Sequence, residues 1–235
     1  MEQLGRTAII VGASSGIGEA LARQLAGRGW RLALAARRLD KLQQLADQLP
    51  TPSLTSSIDL SNAEACRQVF ARLAGQLGRV DLVVISSGTG DVNEQLGWAL
   101  EQHTLAVNVM GFAAVAQAAF ELFARQGQGH LVGISSIAKF RASGGAASYC
   151  ASKAFVAMYL DSLRDLARNR QLDIVVTEAC PGFVDTALMK ADKPFWVASP
   201  ERAAQCIYRA ISKRAKLVYV TRRWRLIAWL LRLLP

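Results

Sequence analysis

Apolar and polar positions along the chain alternate between short apolar runs and longer stretches with helical spacing. Residues 7–11 (Thr-Ala-Ile-Ile-Val) form a continuous apolar run rich in β-branched side chains, the pattern of a parallel strand buried on both faces. A helical stretch over 19–28 and a second apolar run over 31–36 complete a βαβ unit of about 30 residues. The rhythm then repeats. The pattern predicts a helix over 39–49, stopped by Pro50 and Pro52, a strand over 54–58, a helix over 62–77 capped by Ser61, and a strand over 80–85. A long Ala-rich helix follows over 96–125, then a strand over 130–135 and a loop rich in Ser and Gly over 136–147. The next helix carries Tyr149 and Lys153 to about residue 170, and a strand over 174–179, a helix over 200–213 and a strand over 217–220 complete the series. Strands and helices alternating in this way predict an α/β, doubly wound parallel sheet of about seven strands with helices on both faces. No linker, low-complexity stretch or repeat beyond the βα unit interrupts it. The expectation is one domain over 1–220, followed by a basic amphipathic helix over 221–235.

Composition changes this picture little. Half of the 235 residues are hydrophobic, enough for a full core. No apolar run approaches the roughly 20 residues that cross a bilayer. The first six residues, Met1 to Arg6, are polar and lack the apolar centre of a signal peptide. Cys66, Cys150, Cys180 and Cys206 are scattered without metal-type spacing and read as reduced, mostly buried thiols of a cytoplasmic protein. Charge changes the picture more. The formal net charge is +10, yet the chain through Glu201 is nearly balanced, and all nine lysines and arginines beyond it face no acidic residue. A neutral body with a basic tail points to a local surface feature. Nucleic acid is not expected as a partner, because no aromatic-basic stacking platform accompanies the charge.

The first candidate chemistry lies between strand 7–11 and its helix, where Gly12, Ser14, Ser15, Gly16, Ile17 and Gly18 fall together. Three glycines there let backbone approach a pyrophosphate at a helix N-terminus, whose free N–H groups and dipole favour anions. This strand–glycine–helix–strand order predicts a Rossmann-type dinucleotide site. A carboxylate for a ribose 2′-hydroxyl would sit at the end of the second strand, but Ala36 occupies that position and Arg37 follows. A guanidinium suits a 2′-phosphate through bidentate, charge-assisted hydrogen bonds, so NADP(H) is preferred over NAD(H). The alternative is that Arg37 and Arg38 only solvate the start of the next helix.

The second lies at Tyr149 and Lys153. Four residues apart on a helix, they share a face at about 6 Å between Cβ atoms. A cation beside a phenol lowers its pKa from about 10, which fits it for proton transfer near neutral pH. The two histidines offer no metal or triad chemistry: His103 is expected on the surface of the long helix, and His130 opens a strand.

Together these segments resemble the short-chain dehydrogenase/reductase family, in its compact single-domain branch, over most of the chain from Thr7 to Thr186. Gly12-x-x-x-Gly16-x-Gly18 matches the glycine spacing of that branch, and Tyr149-x-x-x-Lys153 matches its catalytic pair. Ser136 fits the catalytic serine, with Ser135 as a neighbouring competitor, and Asn108 fits the fourth catalytic residue. Pro181, Gly182, Val184 and Thr186 match the segment that holds the nicotinamide carboxamide, and Asp59 and Leu60 the adenine-contacting pair. The family's Asn-Asn-Ala-Gly turn is replaced by Ile85-Ser86-Ser87-Gly88, so hydroxyls are expected to tie that turn, with Ser87 and Gly88 at the cofactor.

The resemblance implies interconversion of a ketone or aldehyde and an alcohol by hydride transfer from or to NADP(H). Tyr149 would move the proton, Lys153 would tune it and bind the nicotinamide ribose, Ser136 would bond the carbonyl oxygen, and Asn108 would hold a relay water. The alternative is an NADP-binding sensor or structural partner without turnover. By resemblance, the segment after Thr186 covers the substrate. There Leu188, Met189, Phe195 and Trp196 would form an apolar lid with Lys190 and Lys193 at its mouth, which suits an apolar or lipid-like carbonyl or alcohol; these residues packing on the body is the competing reading. The family also implies a homodimer or homotetramer, with Gly111, Ala113, Ala114, Ala116, Ala118 and Ala119 permitting close helix packing.

In the tail, Arg225 and Arg232 share one stripe, and Ile227, Leu230, Leu231 and Leu234 lie largely opposite. Such a helix is too short to span a membrane. Peripheral contact with the inner face of a membrane, docking on its own domain and docking on a twin subunit all stay open.

Overall fold

A computed structural model describes residues 5–190 and 193–233, with side chains as far as Leu231. The expectations for Met1 to Leu4, Ala191, Asp192, Leu234 and Pro235, and for the side chain of Arg232, lie outside the described residues. The strands are β1 (Thr7–Val11), β2 (Arg31–Ala36), β3 (Ser53–Ser57), β4 (Leu82–Ile85), β5 (Gln128–Ile134), β6 (Asp173–Pro181) and β7 (Leu217–Val220). They form one parallel sheet in the order β3-β2-β1-β4-β5-β6-β7.

The buried strands need apolar residues on both faces, and β1 has them. Ile9 and Val11 point into one core layer, whereas Ala8 and Ile10 point into the other. The first layer is closed by α3 (Ala63–Leu77), α5 (Phe112–Gln126) and α6 (Ala147–Asn169), and the second by α1 (Gly16–Ala26), α2 (Leu39–Gln48) and α7 (Pro200–Ser212). β3, at the edge, is polar and only partly buried, as an edge strand can be.

Where the elements depart from the expected bounds, a specific hydrogen bond explains the shift. β4 starts at Leu82 instead of residue 80 because the Gln126 side chain holds both backbone groups of Val80, at 3.0 and 2.8 Å. The cap of α3 is Asn62, not Ser61: Asn62 Oδ1 accepts from the Ala65 N–H at 3.0 Å, while the Ser61 N–H donates to Asp59. In the stretch expected as loop, Ser136 caps a 3-10 turn over Ile137–Phe140 by accepting from the Ala138 N–H at 3.1 Å.

The long helix is a composite. α4 (Trp98–Leu105) runs into a π-helical turn (Ala106–Gly111) and then into α5. Contrary to the expectation that no run is long enough, Trp98–Gln126 has the length and composition to cross a bilayer. It packs on α3, α6 and the sheet, the setting of a core helix. Last comes α8 (Arg223–Leu233), which packs on β7 and the 3-10 turn through Trp224 and Ala228.

The strand order reverses between β1 and β4, and crevices form at the carboxyl ends of strands at such a point. That is where the candidate residues converge.

Candidate active site

A cleft of about 1030 Å³ opens over the carboxyl ends of β1, β2, β4, β5 and β6. At one end lies the glycine loop between β1 and α1. Gly12 takes φ +92°, a backbone conformation that side chains disfavour, and a Cβ there would meet the Ser87 N–H. A Cβ on Gly18 would collide with the Gly12 carbonyl, so this glycine brings α1 against the strand and does not line the cleft itself. Ser14, Ser15, Gly16 and Ile17 do line it. So do Arg37, Asp59, Leu60, Ser87, Gly88, Pro181, Gly182, Val184 and Thr186.

Beside the loop, Arg38 folds back and donates to Ser14 Oγ at 3.0 Å and to Ser15 Oγ at 2.7 Å. The Ser61 amide and hydroxyl, with Arg37 and His103 nearby, hold the Asp59 carboxyl below its usual range. His103 therefore borders the cleft, half-buried, instead of standing on the outer surface of the helix.

At the other end stand Ser136, Tyr149 and Lys153. Tyr149 is hydrogen-bonded to Ser136, and Lys153 Nζ lies 5.7 Å from the centre of the Tyr149 ring. Lys153 is almost wholly buried and donates to the Ile134 carbonyl at 3.1 Å. Among the described residues no carboxylate lies within ion-pair distance of it. Burial without a counter-charge pushes the Lys153 pKa down to about 8. Burial likewise pushes the Tyr149 phenol up, against the lowering effect of the Ser136 hydrogen bond. The expectation that Lys153 would depress Tyr149 is thus not met here: burial outweighs the Ser136 hydrogen bond, and the phenol keeps its proton at neutral pH.

The neighbouring Ser135 points elsewhere. Its hydroxyl donates to Glu178, which also takes an ion pair from Lys139, and all three side chains are buried. Breaking such a buried pair typically costs about 3–5 kcal/mol, so it pins the 3-10 turn whose cap is Ser136.

Asn108 sits behind the cleft in the π-helical turn, a distortion often found at functional sites. Its amide donates to the Thr89 carbonyl at 2.7 Å and to Ser152 Oγ at 3.0 Å, and its Oδ1 accepts from the Thr89 N–H at 2.9 Å. With the Ser86 and Ser87 N–H groups bonded to the Val11 carbonyl, these bonds tie the β4 turn in place of the expected hydroxyls. A Cβ on Gly90 would overlap the Tyr149 ring, so that glycine makes room for the phenol.

The short chain dehydrogenase family profile matches residues 6–195. The chain belongs to the short-chain dehydrogenase/reductase family. It is 40% identical over 189 residues to an uncharacterised oxidoreductase of Myxococcus xanthus, covering 78% of this chain and 74% of that one. Among solved structures, it resembles a short-chain dehydrogenase from Sphingobium yanoikuyae in complex with NADPH, with a TM-score of 0.84 at 23% identity, covering 94% of this chain and 91% of that chain. A family member from Burkholderia phymatum in complex with NAD is equally similar in fold, with a TM-score of 0.84 at 22% identity, covering 96% and 92%. The protein is accordingly an oxidoreductase acting on alcohol or carbonyl groups.

Within this family member, the substrate side departs from the expected lid. Leu188, Met189 and Lys190 line the cleft, and Lys190 pairs with Asp91, another cleft residue. Phe195 and Trp196 do not line it. They pack with Phe183 on the buried Trp224 of α8, Phe195 stacked at 5.2 Å and Trp196 edge-on at 6.1 Å between ring centres. Gly182 lacks the Cβ that would strike the Trp224 ring. α8 itself reaches the cleft through Leu231.

Arg38, Gly90, Phe183 and Leu231 were not among the candidate residues. Arg38 had a visible signal in its adjacency to Arg37. The other three depend on contacts between distant segments that no local pattern marks.

Proposed function

We propose that this protein is an NADP(H)-dependent carbonyl reductase or alcohol dehydrogenase with Tyr149 as proton donor and acceptor. The carrying observation is the Ser136–Tyr149 end of the cleft: two hydroxyls bonded to each other beside a buried lysine with no carboxylate partner among the described residues. An unpaired buried cation is costly, and a cleft is where such a cost serves chemistry.

The residues fit a nicotinamide dinucleotide. Gly12 and Gly16 leave backbone bare at the start of α1, and a Cβ on Gly88 would crowd Lys153 Nζ at 3.1 Å. When bound, NADPH supplies the hydride. The chain supplies position and charge. Ser136 donates to the carbonyl oxygen, an oxyanion-type role, and Tyr149, protonated at neutral pH, gives that oxygen its proton. Lys153, charged below about pH 8, stabilises the phenolate left behind, returns a proton to it and takes one back from a water beside Asn108. The phosphate preference is supported by Ala36 at the end of β2 and by two guanidinium groups at the cleft, with Arg38 already seated on the loop serines.

An apolar substrate is supported by Phe183, Leu188, Met189 and Leu231 along the cleft wall. A homodimer or homotetramer is supported by the exposed Met110 and Met158 on the helices that carry Asn108 and Tyr149. Gly111, Ala116 and Ala119, expected at that contact, instead pack inward: Gly111 lies against Leu60, and Ala116 and Ala119 are fully buried. A cytoplasmic location is supported by four free thiols.

The test is NADPH oxidation with a panel of aldehydes and ketones, including long-chain ketones. Tyr149→Phe should lower turnover by about 10²–10⁴-fold while NADPH affinity, followed by cofactor fluorescence, stays within about twofold. Retained turnover in this variant would overturn the assignment.

A further inference from the structure

α8 is apolar on two sides, and only one of them is used. Trp224 and Ala228 face the body, with Ile227 and Leu231 half-buried beside them. Leu226, Trp229 and Leu230 face outward and are 66%, 61% and 49% exposed. This differs from the tail faces read from the sequence, which put Leu230 with Ile227 and Leu231. At 100° per residue, Arg225 borders the outer apolar face on one side and Arg223 on the other. Arg223 also lies over the Trp196 ring at 5.7 Å, so the exposed Phe195, Trp196 and Val197 adjoin this face. The whole of α8 lies beyond the residues matched to the family, and its inner face lines the cleft at Leu231.

We propose that the outer face of α8, together with the adjoining Phe195–Trp196 surface, docks this protein on an anionic lipid bilayer and presents the cleft to membrane-dissolved substrate.

The chemistry of the patch selects that occupant. Arg222, Arg223 and Arg225 are exposed and, among the described residues, have no carboxylate partner. No acidic residue follows Glu201 anywhere in the chain. A twofold contact between two copies through this face would set arginines against arginines. An anionic bilayer instead offers headgroup charge to the flanking arginines and an apolar interior to the leucines, with Trp229 suited to the boundary. An 11-residue helix rises about 16 Å, half of a hydrocarbon core, so it lies in the interface and does not span it.

The feeding of the cleft follows from continuity. Trp224 joins α8 to Phe183 and Phe195, and Leu231 belongs at once to α8 and to the cleft wall. Docking through the outer face therefore holds the apolar wall of the cleft against the lipid surface. This second half rests on the oxidoreductase reading above; the docking half does not.

The experiment uses the full chain and vesicles of phosphatidylcholine with or without phosphatidylglycerol. The wild-type protein should co-sediment with the mixed vesicles and only weakly with phosphatidylcholine alone. Leu226→Ser/Trp229→Ser/Leu230→Ser should weaken sedimentation by about tenfold or more. Arg222→Glu/Arg225→Glu, which leaves the apolar face intact, should remove the preference for the anionic lipid. With a long-chain ketone dissolved in the vesicles, the wild type should oxidise NADPH faster than the triple-serine variant. The two should be equal on a short water-soluble ketone.

Failure of the wild type to sediment overturns docking, whatever its activity. A triple-serine variant that loses a dimer by light scattering, with no vesicle binding by the wild type, identifies a second copy as the occupant and overturns the proposal. Sedimentation with equal vesicle and soluble kinetics in both proteins overturns the feeding of the cleft. Sedimentation without NADPH oxidation on any carbonyl compound sustains docking and overturns the proposed NADP(H)-dependent carbonyl reduction.

Discussion

Two regions bordering the cleft, the glycine loop and the C-terminal aromatic cluster, are built by different means. At the loop between β1 and α1, the geometry is set by backbone: Gly12 at positive φ, Gly18 against the Gly12 carbonyl, and β1 hydrogen-bonded to its neighbours on both sides. In the C-terminal aromatic cluster, Phe183, Phe195, Trp196 and Trp224 meet, only Phe183 among them lining the cleft, and the Trp224 indole N–H has no hydrogen-bond partner among the described residues. The first region tolerates almost no added atoms. The second is held by packing, so it can differ in shape from one sequence to another while the sheet below stays the same.

The sharpest way to break this contrast is Trp224→Ala. Removing a fully buried indole should cost about 3–5 kcal/mol and lower the melting temperature by roughly 10 °C. NADPH affinity should stay within about threefold, because nothing at the glycine loop depends on α8. Loss of cofactor affinity in parallel with stability would show that the two regions are one unit.

A second test concerns pH. His130, on β5, donates to Thr177 Oγ1 at 2.8 Å, and the Thr177 hydroxyl donates in turn to the Ala215 carbonyl, tying β5 and β6 to the turn before β7. Burial holds its pKa down to about 4. The native protein therefore takes up this proton only below about pH 4, whereas an unfolded chain takes it up near 6.5. The stability linked to neutral His130 is complete above pH 6.5 and is lost as the pH falls to 4, by at most about 3 kcal/mol. Urea midpoints at pH 7 and 4.5 should differ less in His130→Asn than in the wild type. An unchanged difference would show that His130 does not carry this pH dependence.

The smallest expected effect sharpens the cofactor end. Arg37→Ala and Arg38→Ala should each weaken NADPH binding by about 10- to 100-fold, the worth of one charge-assisted hydrogen bond at 1.5–3 kcal/mol, with NADH binding unchanged. Equal loss of both cofactors would assign these arginines to the loop instead of the phosphate.

Legibility in the sequence follows the same division. β1 and β2 fall at their expected residues, because a strand buried on both faces admits only an apolar run, and the apolar edge strand β7 does so as well. Gly12, Gly16 and Gly18 were visible as a motif because they lie close in sequence: positive φ requires the first two, and the nearby Gly12 carbonyl requires the third. The π-helical turn around Asn108 was not visible, since nothing in Ala106–Gly111 distinguishes it from ordinary helix. The choice between Ser135 and Ser136 was equally hidden: it depends on Glu178, more than 40 residues away, which draws Ser135 off and leaves Ser136 beside Tyr149.

By itself, then, the sequence determined the alternation of strands and helices, the glycine loop and the four-residue spacing of Tyr149 and Lys153. These are local properties, decided by periodicity and by which backbone conformations a residue can adopt. Only the tertiary structure decided the protonation of that pair and the face of α8 left bare. Both depend on burial, which is a property of what the distant chain brings alongside: Lys153 is pushed down to about 8 because it is taken out of water, and Leu226, Trp229 and Leu230 stay exposed because Trp224 has already claimed the body.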